Sequence, residues 1–427
     1  MDRDSAERLP RRVVLCGMAM AGVAAFLAAC SPAPTAAPDQ ATTPPVAGAS
    51  PSGAPSAAPS AAPTSAPPAT ARPSSASASV APSPSPVDDL ARRIAGLLIV
   101  GFRGERLADA PWVRTAITDG LGGVILFDRD QLTGRARNVA SPGQVAALTA
   151  ELRRAAGRNE LLIGVDQEGG VVTRFAPAHG FPAVASEATV GAGTVAAART
   201  WARTIATVTA HAGCNLDFAP VVDLNVNPRN PAIGALGRAF SADPDVVVRM
   251  AGIELDALHA AGVRSAAKHF PGLGSATVNT DFGVADVTRT WHRTELDPYR
   301  RLAAAGKLDS VMVGHVVNGQ IDTQRPASLS RATLDVLRGD VGFDGPTVTD
   351  DLQAAAITQR FGADEAIVLA LAAGNDLLLF ANQQVYDPGI VHHVVGVVLG
   401  AVSGGRLTIE QIDRAWARRQ MLFASPV

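Results

Sequence analysis

Residues 263–284 read VRSAAKHFPGLGSATVNTDFGV. A Lys-His pair, Lys268 and His269, closes a short apolar run, Pro271 and Gly272 turn the chain, and about ten small polar residues follow before Phe282. Such a stretch predicts a buried strand whose carboxyl end opens into a long loop. The loop holds one group able to carry a proton near neutral pH, Asp281, and no histidine.

Seven further runs of the same kind lie on either side: GLLIVGF at 96, GGVILF at 122, LLIGVD at 161, NLDFAPVVD at 215, SVMVGH at 310, PTVTDD at 346 and NDLLLF at 375. The stretches between them, among them SPGQVAALTAELRRAAG, DPDVVVRMAGIELDALHAAG and DEAIVLALAAG, carry apolar residues at three- and four-residue spacing and end on glycine. Eight alternations of strand and helix predict a single (β/α)8 barrel of the TIM type. A doubly wound open sheet is the competing arrangement, but no GxGxxG follows the first run.

Barrel active sites form at the carboxyl ends of the strands, so the residues there carry the functional reading. Asp166 closes the third run, Asp223 the fourth, Lys268 and His269 the fifth, His315 the sixth, and Asp350 and Asp351 the seventh. Taken singly, Asp223 and Asp351 read equally well as helix N-caps and His315 as a core histidine. Five consecutive strands ending on polar groups are better explained by a site. No His, Cys or carboxylate spacing suggests a metal, and the Gly-Leu-Gly at 272–274 lacks the Gly-Lys-Ser/Thr of a phosphate loop, so neither metal nor cofactor is expected.

The 427-residue chain is 47% hydrophobic and 18% charged, with a net charge of −2, which gives no reason to expect a nucleic-acid partner. Arg11 and Arg12 precede an apolar run from Val13 to Leu27 that is too short for a good membrane span and reads as an export signal. It ends in Leu27-Ala28-Ala29-Cys30, which resembles a bacterial lipobox, in which the cysteine is lipidated. The paired arginines leave general secretory and twin-arginine export both open. From Ser31 to Pro86 the sequence is mostly Pro, Ala, Ser and Thr, a composition unable to bury enough surface to fold, so a disordered tether is expected. The folded domain is expected over residues 87–427, as a monomer held to the outer face of the membrane by the lipid alone. Cys214 is the one thiol within it and reads as a small core residue.

Together the segments GGVILF at 122, GVDQEGGVVTRF at 164, LDFAPVVDLNVNPRNPAIG at 216, GRAFSADP at 237, KHFPGLG at 268, VMVGHV at 311, PASLS at 326, GFDGPTVTDDL at 342 and AGNDLLL at 373 resemble, in order, the bacterial β-N-acetylglucosaminidases of glycoside hydrolase family 3 in their single-barrel form. The resemblance implies a retaining glycosidase acting on N-acetylglucosaminides, here with a cell-wall glycan or muropeptide as the expected substrate. It places the nucleophile on Asp350, the sugar contacts on Asp166, Arg174, Arg238, Lys268 and His269, and a supporting contact on His315.

One segment departs from the family. Where its members usually read KHFPGHGDTxxDSH, with an Asp-His dyad as acid/base, this chain has Leu273 for the first His, Ser275 for Asp, Asn279 for the dyad Asp, Thr280 for Ser and Asp281 for the catalytic His. Three readings follow: Asp281 serves as acid/base with its pKa raised, or Asp350 works alone on substrates with good leaving groups, or the protein binds wall sugars without turning them over.

Overall fold

The computed structural model describes residues 85–157 and 159–424. The signal segment, Cys30 and nearly all of the Pro-rich stretch lie outside the described residues. The first helix, α1 (Pro86–Ala95), is capped by Ser85. The Asp88 N–H donates to Ser85 Oγ at 3.2 Å, and the Ser85 hydroxyl donates to the Asp88 carboxylate at 2.8 Å. Leu90 and Ile94 then turn inward.

All eight runs form strands of one closed parallel barrel: β1 (Leu98–Gly101), β2 (Gly123–Leu126), β3 (Leu162–Val165), β6 (Leu216–Asp217), β7 (Arg264–Phe270), β8 (Ser310–Val313), β9 (Thr347–Asp351) and β10 (Leu377–Phe380). A hairpin that the run pattern did not predict, β4 (Gln167–Gly169) with β5 (Val172–Thr173), follows β3. The barrel closes where β1 pairs with β10, Ile99 opposite Leu379. Strand β6 is short, and Pro220 beyond it has no N–H for the ladder; the chain nevertheless stays beside β7, with the Ala266 N–H donating to the Ala219 carbonyl at 3.2 Å and the Val222 N–H to the Lys268 carbonyl at 2.9 Å.

The stretches between the strands are helical as their spacing predicts: α2 (Pro111–Thr118), α3 (Pro142–Ala156), α4 (Glu187–Gly191), α5 (Val195–His211), α6 (Pro244–Ala260), α7 (Asp297–Ala304), α8 (Arg331–Gly339), α9 (Ala355–Thr358), α10 (Ala363–Ala373), α11 (Ile390–Ser403) and α12 (Ile409–Gln420). Ser141, Asp243, Ser330 and Thr408 cap four of them, and proline fills the first position of α3 and α6.

Alternation along the strands divides the core. Ile99, Ile125, Leu162, Leu216, Ala266, Met312, Val348 and Leu377 fill the barrel interior with Phe218, while the opposite strand faces pack beneath the helices. Gly164 makes room for Phe218: a Cβ there would lie 2.6 Å from its ring. Leu422 plugs the amino-terminal end of the barrel, its carbonyl accepting from Arg264 Nε at 3.2 Å. That seal leaves the carboxyl end as the open mouth.

Candidate active site

The strand-end residues singled out from the sequence converge on one arc of the barrel. Strands β2, β3, β6, β7, β8 and β9 are consecutive neighbours in the sheet, and each delivers a polar group from its carboxyl end or the loop after it. Strands β1 and β10 contribute none of the predicted residues.

At the centre lies Lys268, buried on β7, with its Nζ 2.7 Å from Asp166 Oδ1 and 2.7 Å from Glu168 Oε1. Glu168 in turn receives Arg238 through two hydrogen bonds, Nε at 2.7 Å and Nη2 at 2.8 Å, a geometry that a planar guanidinium and a carboxylate share. Arg174 closes the outer side, 3.5 Å from Asp166 Oδ2 and 3.6 Å from Asp128 Oδ1, with its guanidinium above the Phe127 ring. Burial pushes the Glu168 carboxyl up, yet Arg238 and Lys268 outweigh it and hold the group well below the usual carboxylate range. Burial likewise works against the charge on Lys268, and Asp166 and Glu168 more than reverse it. The charges are therefore held by one another, and the most open edges they offer a ligand are those of Arg174, Asp166 and Arg238, whose side chains are 24%, 15% and 13% exposed.

Asp223 caps no helix. Its Oδ2 accepts the His269 Nδ1–H at 2.7 Å and its Oδ1 accepts the Leu273 N–H at 2.7 Å, so it orients the imidazole and starts the β7 loop in one stroke. Nε2 of His269 is left to face Arg238 Nη2 at 3.4 Å. Asp351 is no cap either, since Ala354 stands before α9. Its Oδ1 accepts the Ala381 and Gln353 N–H groups at 3.0 and 3.1 Å, and burial pushes the carboxyl to about 7. His315 spends both ring nitrogens on the protein: Ser328 Oγ–H donates to Nδ1 at 2.7 Å, and Nε2–H donates to the Asp351 carbonyl at 2.9 Å. It is buried and braces the end of β9 beside Asp350.

Asp350 is half-buried, and its Oδ1 accepts the Asp351 N–H at 2.8 Å. Burial raises its pKa, but His315, His269, that N–H and Lys268 overcome the effect and leave it below the usual value. Asp281 moves the other way. Burial first and the Asp350 charge second raise it, against the pull of Arg238 and His269. Two carboxyls in one field, one driven down and the other up, have the protonation states that a nucleophile and an acid require.

The loop that carries Asp281 is held along its length. Asn230 Nδ2 donates to the Leu273 and Gly274 carbonyls at 2.6 and 3.1 Å, and Asn227 Nδ2 donates to Ala276 at 2.8 Å. At Gly274 the chain passes so close to Leu224 that a Cβ would sit 1.8 Å from its carbonyl oxygen. Asn279 Oδ1 accepts the Asp281 N–H at 2.9 Å, and the Ala355 and Ala356 N–H groups donate to the Asp281 and Thr280 carbonyls at 3.3 and 3.0 Å. Two groups escaped the sequence reading. Glu168, the centre of the ion network, sits two residues beyond Asp166, and Asp128 sits two residues beyond the end of β2.

Residues 90–422 match the model of the glycosyl hydrolase family 3 N-terminal domain. The chain belongs to glycosyl hydrolase family 3. A β-hexosaminidase from Tolumonas auensis is 38% identical over 277 residues, which cover 62% of this chain and 76% of that protein. The structure of a family 3 β-N-acetylglucosaminidase from a Paenibacillus species superposes with a TM-score of 0.70 at 34% identity, covering 79% of this chain and 64% of that one, so this chain spans less than two thirds of that protein. A β-N-acetylhexosaminidase from Beutenbergia cavernae gives 0.69 at 31% identity and is covered over 97% of its length, against 77% of this chain. The family 3 chain thus has the barrel expected from its sequence, and a glycosidase is what its family implies.

Proposed function

We propose that this family 3 hydrolase cleaves β-linked N-acetylglucosaminides from the cell wall with retention, using Asp350 as nucleophile and Asp281 as acid/base. One observation carries the reading: Asp281 is tied by its main chain to the segment just after Asp350, and its carboxyl is raised by burial and by the charge on Asp350. In the first step a carboxylate oxygen of Asp350 attacks the anomeric carbon, the glycosidic C–O bond breaks, and the Asp281 proton passes to the leaving oxygen. Asp350 is then an ester and uncharged. The Asp350 charge that adds to burial in raising Asp281 is then gone, the Asp281 pKa falls, and it accepts a proton from the water that attacks the same carbon and frees Asp350.

Asp166, Arg174, Arg238, Lys268 and His269 are the groups assigned to the sugar. Ionic contacts already tie most of them together, so the hydroxyls meet a prearranged set of donors and acceptors, which is what stabilises an oxocarbenium-like transition state without reorganisation. His315 acts behind Asp350 as a brace.

The test uses wild type, Asp350→Ala and Asp281→Ala on 4-nitrophenyl N-acetyl-β-glucosaminide and on the corresponding disaccharide. Asp350→Ala loses turnover of both. Asp281→Ala loses about 10²- to 10⁴-fold on the disaccharide, far less on the aryl glycoside, and added azide restores part of the latter. Equal rates for wild type and Asp281→Ala overturn the acid/base assignment, and a silent wild type that still binds the disaccharide overturns hydrolysis in favour of sugar binding.

Placement at the envelope is proposed from the first thirty residues: an export signal ending in Leu-Ala-Ala-Cys supports lipidation at Cys30. Loss of membrane-associated protein in Cys30→Ser tests it.

A further inference from the structure

Among the described residues, seven of the eleven exposed large apolar side chains stand on loops at the carboxyl ends of the barrel strands, around the mouth of the site. Phe282 is the most exposed of all at 66%, and Val278, 37% exposed, lies on the same loop. A solvent-facing phenylalanine contributes nothing to the core, and single exposed apolar residues are ordinary on any surface. Phe282 is set apart by its place. It follows Asp281 directly, so it projects from the loop at the point where the acid meets the glycosidic oxygen. That oxygen joins the sugar held by Asp166, Lys268 and Arg174 to the group that departs. A side chain next to the acid and pointing outward therefore faces the departing group.

The loop is also rigid enough to serve as a surface. Asn279 takes the Asp281 N–H, and its carbonyl accepts the Phe282 and Gly283 N–H groups at 3.1 Å each, which makes residues 279–283 a closed turn. Val278 Cγ1 lies 3.3 Å from where a Cβ on Gly283 would stand, so Val278 folds over the turn that carries Phe282. Ala355 and Ala356 hold the turn from below. The turn gives an aromatic ring that is immobile at its base and open on its outer face.

We propose that Phe282, supported by Val278, is the platform for the leaving-group sugar, stacking on the C–H face of the pyranose ring on the far side of the scissile bond. A pyranose presents hydroxyls at its edge and C–H groups on its faces, and an aromatic ring covers such a face by apolar burial with little ordering cost. The proposal rests on the glycosidase reading and extends it from the sugar that is cleaved off to the group that it leaves behind. It makes the enzyme selective for substrates whose aglycone is a ring.

The test measures kcat/KM of the full-length protein on N,N′-diacetylchitobiose, which has a leaving sugar, and on N-acetyl-β-glucosaminyl azide, which has none. In Phe282→Ala the ratio of the two constants falls about tenfold, the equivalent of about 1.4 kcal/mol, mostly through KM, and in Phe282→Tyr it returns. A ratio that stays the same in Phe282→Ala, whether both constants hold or both fall together, overturns the platform. A wild type inactive on both substrates counts against hydrolysis itself. The platform is then decided by calorimetry with the same proteins: wild type binds the disaccharide more tightly than N-acetylglucosamine and Phe282→Ala loses that preference, whereas a preference equal in the two overturns the inference.

Discussion

The main-chain nitrogen of Ala355 donates to the carbonyl oxygen of Asp281 at 3.3 Å, so the loop after β7 rests on the first residue of the short helix that follows Asp350. On the proposed assignment, this contact helps place the acid beside the nucleophile. Proline at 355 removes the donor at little structural cost, because 355 is the first helical position and Ala354 before it is extended, φ −62° and ψ 148°, as a residue preceding proline prefers. Ala355→Pro is expected to change stability by less than about 1 kcal/mol while slowing disaccharide cleavage several-fold more than aryl glycoside cleavage. Thermal melts and the two kcat values check it; equal slowing of both substrates shows that the contact does not position the acid.

The pH profile follows from the two carboxyls. On the proposed assignment, turnover needs Asp350 ionised and Asp281 protonated. Asp350 lies below its ordinary value, so activity is gained as the pH rises through that low pKa, and Asp281 lies above its own, so activity is lost as the pH rises through the raised one. An acidic optimum is expected. In Asp281→Asn, assayed on the aryl glycoside, the alkaline limb disappears. Persistence of that limb assigns it to another group, and Asp351, at about 7, is the first to examine with Asp351→Asn.

Glu168 balances two cations at once, with no exposed surface of its own. Glu168→Gln leaves Lys268 with Asp166 as its one carboxylate partner and turns one of the two oxygens that receive Arg238 into an NH2 donor facing it. Breaking a buried ion network from one side costs about 3–5 kcal/mol, so the variant is expected to melt earlier and to bind sugar more weakly, with KM rising more than kcat falls. Urea titration and kinetics together check this. A variant of wild-type stability shows that water or a rotated side chain replaces the lost carboxylate.

The barrel was legible in the sequence because each parallel strand is buried on both faces and so reads as an unbroken apolar run, and because the fold places function where those runs end. Lys268, His269 and Asp350 are legible that way, as polar groups at the ends of β7 and β9. Glu168 was passed over although it stands two residues after Asp166, since the run ended at Asp166 and nothing local announced the β4–β5 hairpin that turns both carboxylates toward Lys268. Asp223 and Asp351 looked like helix caps because a cap needs only local sequence, whereas their partners, His269 and Ala381, lie 46 and 30 residues away. Distance along the chain hid their roles.

Behind the ion network two more acids are buried without adequate partners. Glu254, on α6, has neither carboxylate oxygen hydrogen-bonded, and Glu187, on α4, uses one oxygen to accept the Val221 N–H at 3.1 Å. Burial, then the charges of Asp217 and Glu168, raise Glu254 well above its ordinary value, while Lys268 opposes them. Glu187 is raised by burial and by Glu254. A carboxyl whose folded pKa is raised stabilises the fold fully below the unfolded pKa, about 4.3, and that stability is lost as the pH rises through the folded pKa, because the unfolded chain ionises first. Glu254→Gln keeps the size and neutrality of the protonated acid and removes the titration. The variant is expected to melt like wild type near pH 4 and above it at pH 8, by about 2 °C for each kcal/mol recovered. Melting curves across that range decide it: a constant difference at every pH shows that Glu254 affects stability by packing and not by its proton.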